Sequence, residues 1–449
     1  MDLLKEDNPL DKWFINDTWE NNGNRYENAL LKFNPFPKSG TAGKNTPDSI
    51  TRFLKPYDGD VEKTLMEYIV QSLYAHGLEE AKDKFLSATI TGDYGTGKTQ
   101  LLLYAKYILN EVSNYRKPGI PHKKPFVVYI DNPGAKLSEL IGQIISEIGE
   151  EDFRKFIWSI IIDGIKNSEE HKNTLADFLK KGNQELFPET DNNPYSDSNT
   201  VSYKKFLDVF IKYLSLRKRK ELESALKDII LNILVDWKDS TIARYYYDFI
   251  TEDYSVNKTW EILSKGSERM FDKKEVLLIN SIIELVESQG YTDFYILVDE
   301  FEDLTEGRLS KGELDNYLRN LRTLIDHNKQ WAVIFSMTDV ALQRIESISP
   351  PLADRLANKR IQIKGFDSER AELIVKRYLT LARAEEVEDP IYPFTKEAIE
   401  YIRLNLSAAN LRRFLRNCFN ILEKFIISGV EGQIIDIEFI EKNIKVDNL

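Results

Sequence analysis

The sequence holds one cysteine, Cys418, and four histidines, His76, His122, His171 and His327, far apart along the chain. A lone thiol excludes an intramolecular disulfide, and together with so scattered a set of histidines it excludes a cysteine-based zinc site. Any metal is expected to arrive with a ligand. No apolar run approaches the roughly 20 residues that span a bilayer, and residues 1–17 are acidic and polar, without the basic start and apolar stretch of a secretory signal. A soluble, cytoplasmic protein with no membrane partner is expected. Positive charge is also in short supply: 61 Lys and Arg against 73 Asp and Glu give a formal net charge of -12. Such a balance does not suit a surface that coats nucleic acid through phosphate contacts. The densest basic run, Arg217-Lys218-Arg219-Lys220, is followed at once by Glu221 and Glu223 on a helical pattern, so it reads as a solvated helix face.

What is present is ordinary globular composition, 42% hydrophobic and 30% charged, on a chain of 449 residues, longer than one core usually serves. Residues 1–60 are rich in Asn, Asp, Pro and Gly around two aromatic clusters, Trp13-Phe14 and Phe33-Asn34-Pro35-Phe36-Pro37, and read as an ordered but irregular lead-in. Residues 61–150 carry an amphipathic helix (61–85), a strand (88–91), an apolar helix (100–112), a strand (126–130) and a helix (136–148). Residues 151–275 interrupt this alternation as a helical insertion. Its Arg244-Tyr245-Tyr246-Tyr247-Asp248-Phe249 cluster offers rings for base stacking, but tyrosines at helical spacing more simply pack a core. Alternation resumes over 276–366 with strands 294–298, 331–335 and 360–363 and helices 274–288 and 313–327. Residues 367–449 turn helical at 369–384, 396–404 and 408–427. The pattern predicts a doubly wound parallel five-stranded α/β sheet with a large helical insertion and a C-terminal helical lid.

Two motifs carry chemistry. Gly92-Asp93-Tyr94-Gly95-Thr96-Gly97-Lys98-Thr99 fits G-x-x-x-x-G-K-[ST] and lies between a predicted strand and a predicted helix, as a phosphate-binding loop requires. Its backbone N–H groups and the helix N-terminus suit the phosphates of ATP, Lys98 the β- and γ-phosphates and Thr99 a Mg²⁺ ion, with Gln100 closing the nucleotide-binding segment. Phe294-Tyr295-Ile296-Leu297-Val298-Asp299-Glu300 is an apolar strand ending in two carboxylates at the sheet edge where ligands bind. Burial accounts for the apolar run; a Mg²⁺-linked Asp299 and a water-polarising, catalytic Glu300 account for the acids.

The acid pair resembles the Walker B element of AAA+ ATPases, and the loop their Walker A. Further elements follow in that family's order, and what they imply comes from the resemblance. Trp331–Phe335 looks like the sensor 1 strand, with Thr338 or Ser336 where the family usually has Asn. Pro350-Pro351-Leu352-Ala353-Asp354-Arg355-Leu356 resembles the arginine-finger segment, which implies that Arg355 acts in a neighbouring subunit of a homo-oligomer, with Arg360 as the fallback. Ala408-Ala409-Asn410-Leu411-Arg412-Arg413 looks like sensor 2, which implies that Arg412 faces the nucleotide from the lid. Within the family the chain is similar to origin-recognition and secretion-type ATPases over 85–150 and 280–430. The pattern Gly290-Tyr291-x-x-Phe294 also looks like ATPases of phage-defence systems such as BREX.

The resemblance implies an ATP-hydrolysing motor or switch in a DNA-linked process such as phage defence, with DNA a further partner. An origin-recognition protein would continue into a winged-helix domain, whereas this chain stops soon after the lid, so sequence-specific DNA binding is not expected. The alternative is an ATP-gated switch or chaperone that engages a protein partner through the insertion and does not touch DNA. A small-molecule kinase shares the loop but does not require the acid pair together with two late arginines.

Overall fold

A computed structural model describes residues 26–39, 59–75, 86–116, 122–178, 203–211, 214–238, 240–251, 271–306, 309–327, 331–356, 358–428 and 434–443. The Trp13-Phe14 cluster lies outside the described residues. In chain order, helix α1 (Gly59–Ala75) precedes strand β1 (Leu86–Thr91), and α2 (Lys98–Val112) precedes β2 (Pro125–Ile130). Helices α3 (Leu137–Ile148), α4 (Glu150–Asn167), α5 (Glu169–Ala176), α6 (Tyr203–Ile211), α7 (Leu216–Trp237), α8 (Ser240–Thr251) and α9 (Phe271–Glu287) come before β3 (Asp293–Val298). Then follow α10 (Lys311–His327), β4 (Trp331–Met337), α11 (Asp339–Ile348), α12 (Pro350–Leu356) and β5 (Lys359–Gln362). The C-terminal helices are α13 (Ser368–Ala382), α14 (Lys396–Tyr401), α15 (Leu411–Ser428) and α16 (Ile437–Asn443).

The five strands form one parallel sheet in the order β2-β3-β4-β1-β5. Helical crossovers between successive strands make that direction natural, since a parallel neighbour cannot be reached by a tight turn. Register is explicit at one side, where Tyr129 pairs with Leu297, Ile130 with Val298 and Val298 with Phe335. All six residues of β3 are buried, which is why its sequence runs apolar without alternation. Its one charge there, Asp293, is met by Lys123 Nζ at 3.2 Å.

By compactness the chain divides into two units: Met66–Thr89 with Ile108–Arg360, and Met1–Leu65 with Ile90–Tyr107 and Ile361–Leu449. In the first, one face of the sheet contributes Val128, Ile130, Ile296, Val298, Val333 and Phe335 to a single large core with the helices. The opposite face carries Tyr129 and Tyr295. There Tyr68 of α1 donates to the Val333 carbonyl at 3.2 Å, and Ser72 of α1 meets the Tyr295 hydroxyl. Helices therefore cover both faces of this part of the sheet.

The described residues of 151–275 share the core of the sheet: Trp158, Phe206, Leu226, Ile230, Tyr246 and Phe249 belong to the same cluster as the strands. Tyr246 and Ser281 of α9 share a hydrogen bond of 2.6 Å, and Gln289 donates to Ser159 at 3.0 Å. Tyr245 and Tyr246, 1% and 0% exposed, are packing residues with no face left for a base. On α7 the basic run is solvated, with Arg217 and Lys218 both bound to Glu221 at 3.1 and 2.9 Å.

The second unit has its own core of C-terminal helices, and the lead-in is part of it. Phe36 packs on Tyr378 and Phe394, with ring centroids 5.5 and 5.9 Å away. Asn34 donates to the Phe419 carbonyl at 3.2 Å and to Glu423 at 2.9 Å, so the Asn-Pro-Phe segment stitches the N-terminal side of the chain into α15. The helices of this unit begin on side-chain caps: Asp367 accepts from the Arg370 amide, Thr395 from Ala398 and Asn410 from Arg413. A helix expected to start at Ala408 starts instead at Leu411, because Ala408 and Ala409 are left-handed, with φ of 47° and 53°. Alanine is the strongest helix former, yet here the turn is closed by the bonds from Ala409 to the Arg403 carbonyl and from Asn410 to that of Ser407.

Candidate active site

The loop from Gly92 to Thr99 is shaped by its main chain. Gly95 and Gly97 have φ of +74° and +99°, where a Cβ is strained, and at Gly95 it would also meet the Asn410 amide at 2.6 Å. The loop tightens through Thr96, whose hydroxyl donates to the Asp93 carbonyl at 2.8 Å. Lys98 opens α2 and is 7% exposed; its ammonium donates to the carbonyls of Gly92 and Asp93 at 3.1 and 3.2 Å and lies 5.4 Å from the Tyr94 ring centroid. Gly92 and Gln100 are buried, Thr99 is half-buried, and Asp93 and Tyr94 are exposed. A buried lysine at a helix N-terminus is an arrangement chemically suited to an anion.

The same unit brings a residue to this loop that sequence reasoning missed. Asn410 donates from Nδ2 to the Tyr94 carbonyl at 2.8 Å, while its Oδ1 accepts from the Arg413 amide at 3.1 Å. Ahead of it, Ala409 donates to the Arg403 carbonyl and Asn410 to that of Ser407, fixing the two left-handed residues. A signal existed: Asn directly before an amphipathic helix is a favoured N-cap. Nothing local told that its amide would reach a loop 316 positions away. Leu411 faces the core at this point, being 3% exposed, and Arg412 beside it is exposed to solvent. The reason lies in helix phase: Leu411, Phe414, Leu415 and Cys418 take the buried stripe.

In the other unit β3 delivers Asp299 and Glu300 to its carboxyl end. Asp299 is 3% exposed. Its Oδ2 accepts from the Tyr129 hydroxyl at 2.9 Å and its Oδ1 from the Glu300 amide at 3.0 Å. Burial first, and then the carboxylate of Asp299, push the Tyr129 hydroxyl far above the ordinary tyrosine range, so it acts as a donor. Glu300 is exposed and left-handed, φ 49°, at the start of a short 3-10 turn, Phe301–Leu304. A non-glycine residue held there costs about 1–3 kcal/mol, a kind of strain that collects at functional positions. Tyr129 was the second residue missed, because the neighbour of a strand is not encoded locally.

At the end of β4, Ser336 is fully buried and its hydroxyl has no hydrogen-bond partner among the described residues. Thr338, 4% exposed, caps α11 by accepting from the Ala341 amide at 3.1 Å. Arg355 donates to the Pro351 carbonyl of its own helix at 2.8 Å, and the hydroxyls of Ser87 and Thr89 donate to the carbonyls of Arg355 and Leu356, fixing that end of α12. Arg360 pairs with Asp339 at 2.5 Å. Among the described residues no cluster of three or more His, Cys, Asp or Glu could hold a metal unaided, and no helix is long and apolar enough to cross a membrane.

No family model matches the sequence, and no curated protein is similar to it. Among solved structures the chain is similar to the ORC2 protein of Aeropyrum pernix, seen in ADPNP and ADP complexes, at 12% identity and a TM-score of 0.45, over 86% of this chain and 66% of that one. It is also similar to Cdc6p from Pyrobaculum aerophilum, at 13% identity and a TM-score of 0.39, over 91% of this chain and 70% of that one. The chain thus spans about two thirds of the length of the first of these.

Proposed function

We propose that this chain binds ATP with Mg²⁺ and hydrolyses it, as an oligomeric AAA+ motor or switch in a DNA-linked process such as phage defence. The observation that carries the ATPase reading is Asp299, a carboxylate 3% exposed that holds two hydrogen bonds and no ion pair among the described residues. A buried carboxylate is costly unless a cation compensates it, and two accepted bonds leave lone pairs for one. The residues therefore fit a divalent ion, and a loop whose lysine and helix N-terminus suit phosphates supplies the reason for it to arrive.

Lys98 and the loop amides would hold the β- and γ-phosphates, with Thr99 and Asp299 as the protein ligands of the ion. Bound Mg²⁺ would supply neutralisation of the charge that develops on the transferring phosphoryl group. Glu300, exposed and fixed by its left-handed backbone, would hold the attacking water and draw its proton. Arg355, on a helix whose end is fixed through Ser87 and Thr89, would serve a neighbouring subunit, Thr338 would line the γ-phosphate, and Arg412 would approach the nucleotide from its exposed place on α15.

The test is phosphate release from ATP by the purified protein, across protein concentration, with and without duplex DNA. Release rising steeply with concentration, and further with DNA, supports the full reading. Release indifferent to DNA leaves an ATPase serving a protein partner, which the self-paired basic face of α7 favours. No release under any condition removes hydrolysis. Because residues 151–275 share the core of the sheet, deleting them would unfold the protein, so a partner surface there is better probed by exposed substitutions on α7.

A further inference from the structure

The orientation of Asp299 depends on two donors, one from the next residue and one from the adjacent strand. The Glu300 amide secures Oδ1, and the Tyr129 hydroxyl, reaching across from β2, secures Oδ2. Terminal torsions of Asp are broad, so a carboxylate held at one oxygen still rotates about its Cβ–Cγ bond. Held at both, it presents its remaining lone pairs in fixed directions. Tyr129 is 2% exposed in a strand whose other residues, from Pro125 to Ile130, bring no side-chain hydroxyl, and its pairing with Leu297 places it one strand over, just short of the acid. An aliphatic residue would satisfy the core. The hydroxyl is accounted for by what it donates to.

We propose that Tyr129 is a positioning residue for Asp299, fixing the carboxylate so that it accepts a divalent cation without first reorganising. This rests on the reading of Asp299 as a metal ligand. Ligating carboxylates are commonly held by a second donor, and loss of such a partner lowers metal affinity about tenfold to a hundredfold.

The experiment compares wild type, Tyr129→Phe and Asp299→Asn, each saturated with a non-hydrolysable ATP analogue, by titrating Mn²⁺ and following the free ion by electron paramagnetic resonance. Binding of a fluorescent ATP analogue in EDTA and the melting temperature of the apo protein are measured beside it. Tyr129→Phe is expected to weaken Mn²⁺ about tenfold while leaving metal-free nucleotide binding unchanged, and Asp299→Asn to weaken it further. If Asp299→Asn weakens Mn²⁺ and Tyr129→Phe does not, the positioning role is overturned while the metal ligand stands. If neither changes Mn²⁺ affinity, Asp299 is not a ligand and the reading beneath falls too. A Tyr129→Phe protein that loses metal-free nucleotide binding as well also overturns the proposal, since the hydroxyl would then be holding the fold.

Discussion

The phosphate loop and the end of β3 solve their tasks with different materials. In the proposed site the loop would work through backbone N–H, a helix N-terminus and one lysine, and its glycines would act by what they lack. At the end of β3 the proposed working groups are side chains, while the backbone holds Glu300 in a strained conformation and lends one amide to Asp299. A main-chain site fails when its geometry is disturbed, whatever the chemistry of the intruding side chain. A side-chain site fails when one functional group is lost, even with geometry intact. Damage to the loop should therefore appear as lost nucleotide affinity, and damage to the acids as lost turnover with affinity kept.

The sharpest probe of the side-chain class is the pair Arg355 and Arg360. Arg355→Ala should lower phosphate release about 10⁴-fold, the middle of the range for a finger arginine, with ATP affinity within a few-fold of wild type. Arg360→Ala breaks an exposed pair with Asp339 and should leave turnover near wild type; the reverse outcome in a steady-state assay would move the finger to Arg360. Next in size, Glu300→Gln should keep ATP binding and lower hydrolysis about 10³-fold, as loss of a general base does. Normal hydrolysis by that variant would remove Glu300 from the mechanism.

For the main-chain class, Gly95→Ala adds a single methyl to a left-handed residue in contact with Asn410. It should cost about 1–3 kcal/mol, read as ATP affinity about ten- to a hundredfold weaker by equilibrium titration. Unchanged affinity would mean that loop geometry is not limiting and would blur the distinction between the two sites. The smallest effect belongs to neither: Glu221→Ala, which releases Arg217 and Lys218, should shift stability by under about 1 kcal/mol, as exposed pairs do. If the freed basic face also raised DNA retention at low salt, the self-pairing of α7 would be what keeps DNA away.

Legibility in the sequence followed locality. The loop, from Gly92 to Thr99, is contiguous, and so is the run from Phe294 to Glu300; each could be read because strand, turn and charge sit side by side in the chain. The strands were legible to within a few residues for the same reason, since apolar spacing is a local signal, whereas the short helices α11, α12 and α16 were not expected and residues 76–85 of the expected first helix lie outside the described residues. Ala408 and Ala409 were expected inside a helix because alanine favours one; the left-handed turn they form instead, closed by bonds to the Arg403 and Ser407 carbonyls, runs against that propensity. The exposed place of Arg412 follows from the phase of α15, which is set by which residues the core of its unit accepts.

By itself the sequence determined the chemistry on offer: a G-x-x-x-x-G-K-[ST] loop, paired acids, late arginines, and too little cysteine for a cysteine-based zinc site. The tertiary structure decided which strands became neighbours, and with them that a tyrosine of β2 would hold the carboxylate of β3 and that an asparagine before α15 would hold the carbonyl of Tyr94. The physical reason is that a hydrogen bond acts over about 3 Å and is blind to separation along the chain. Only the folded order of strands and helices, chosen by burial of their apolar faces, brings such groups within that reach.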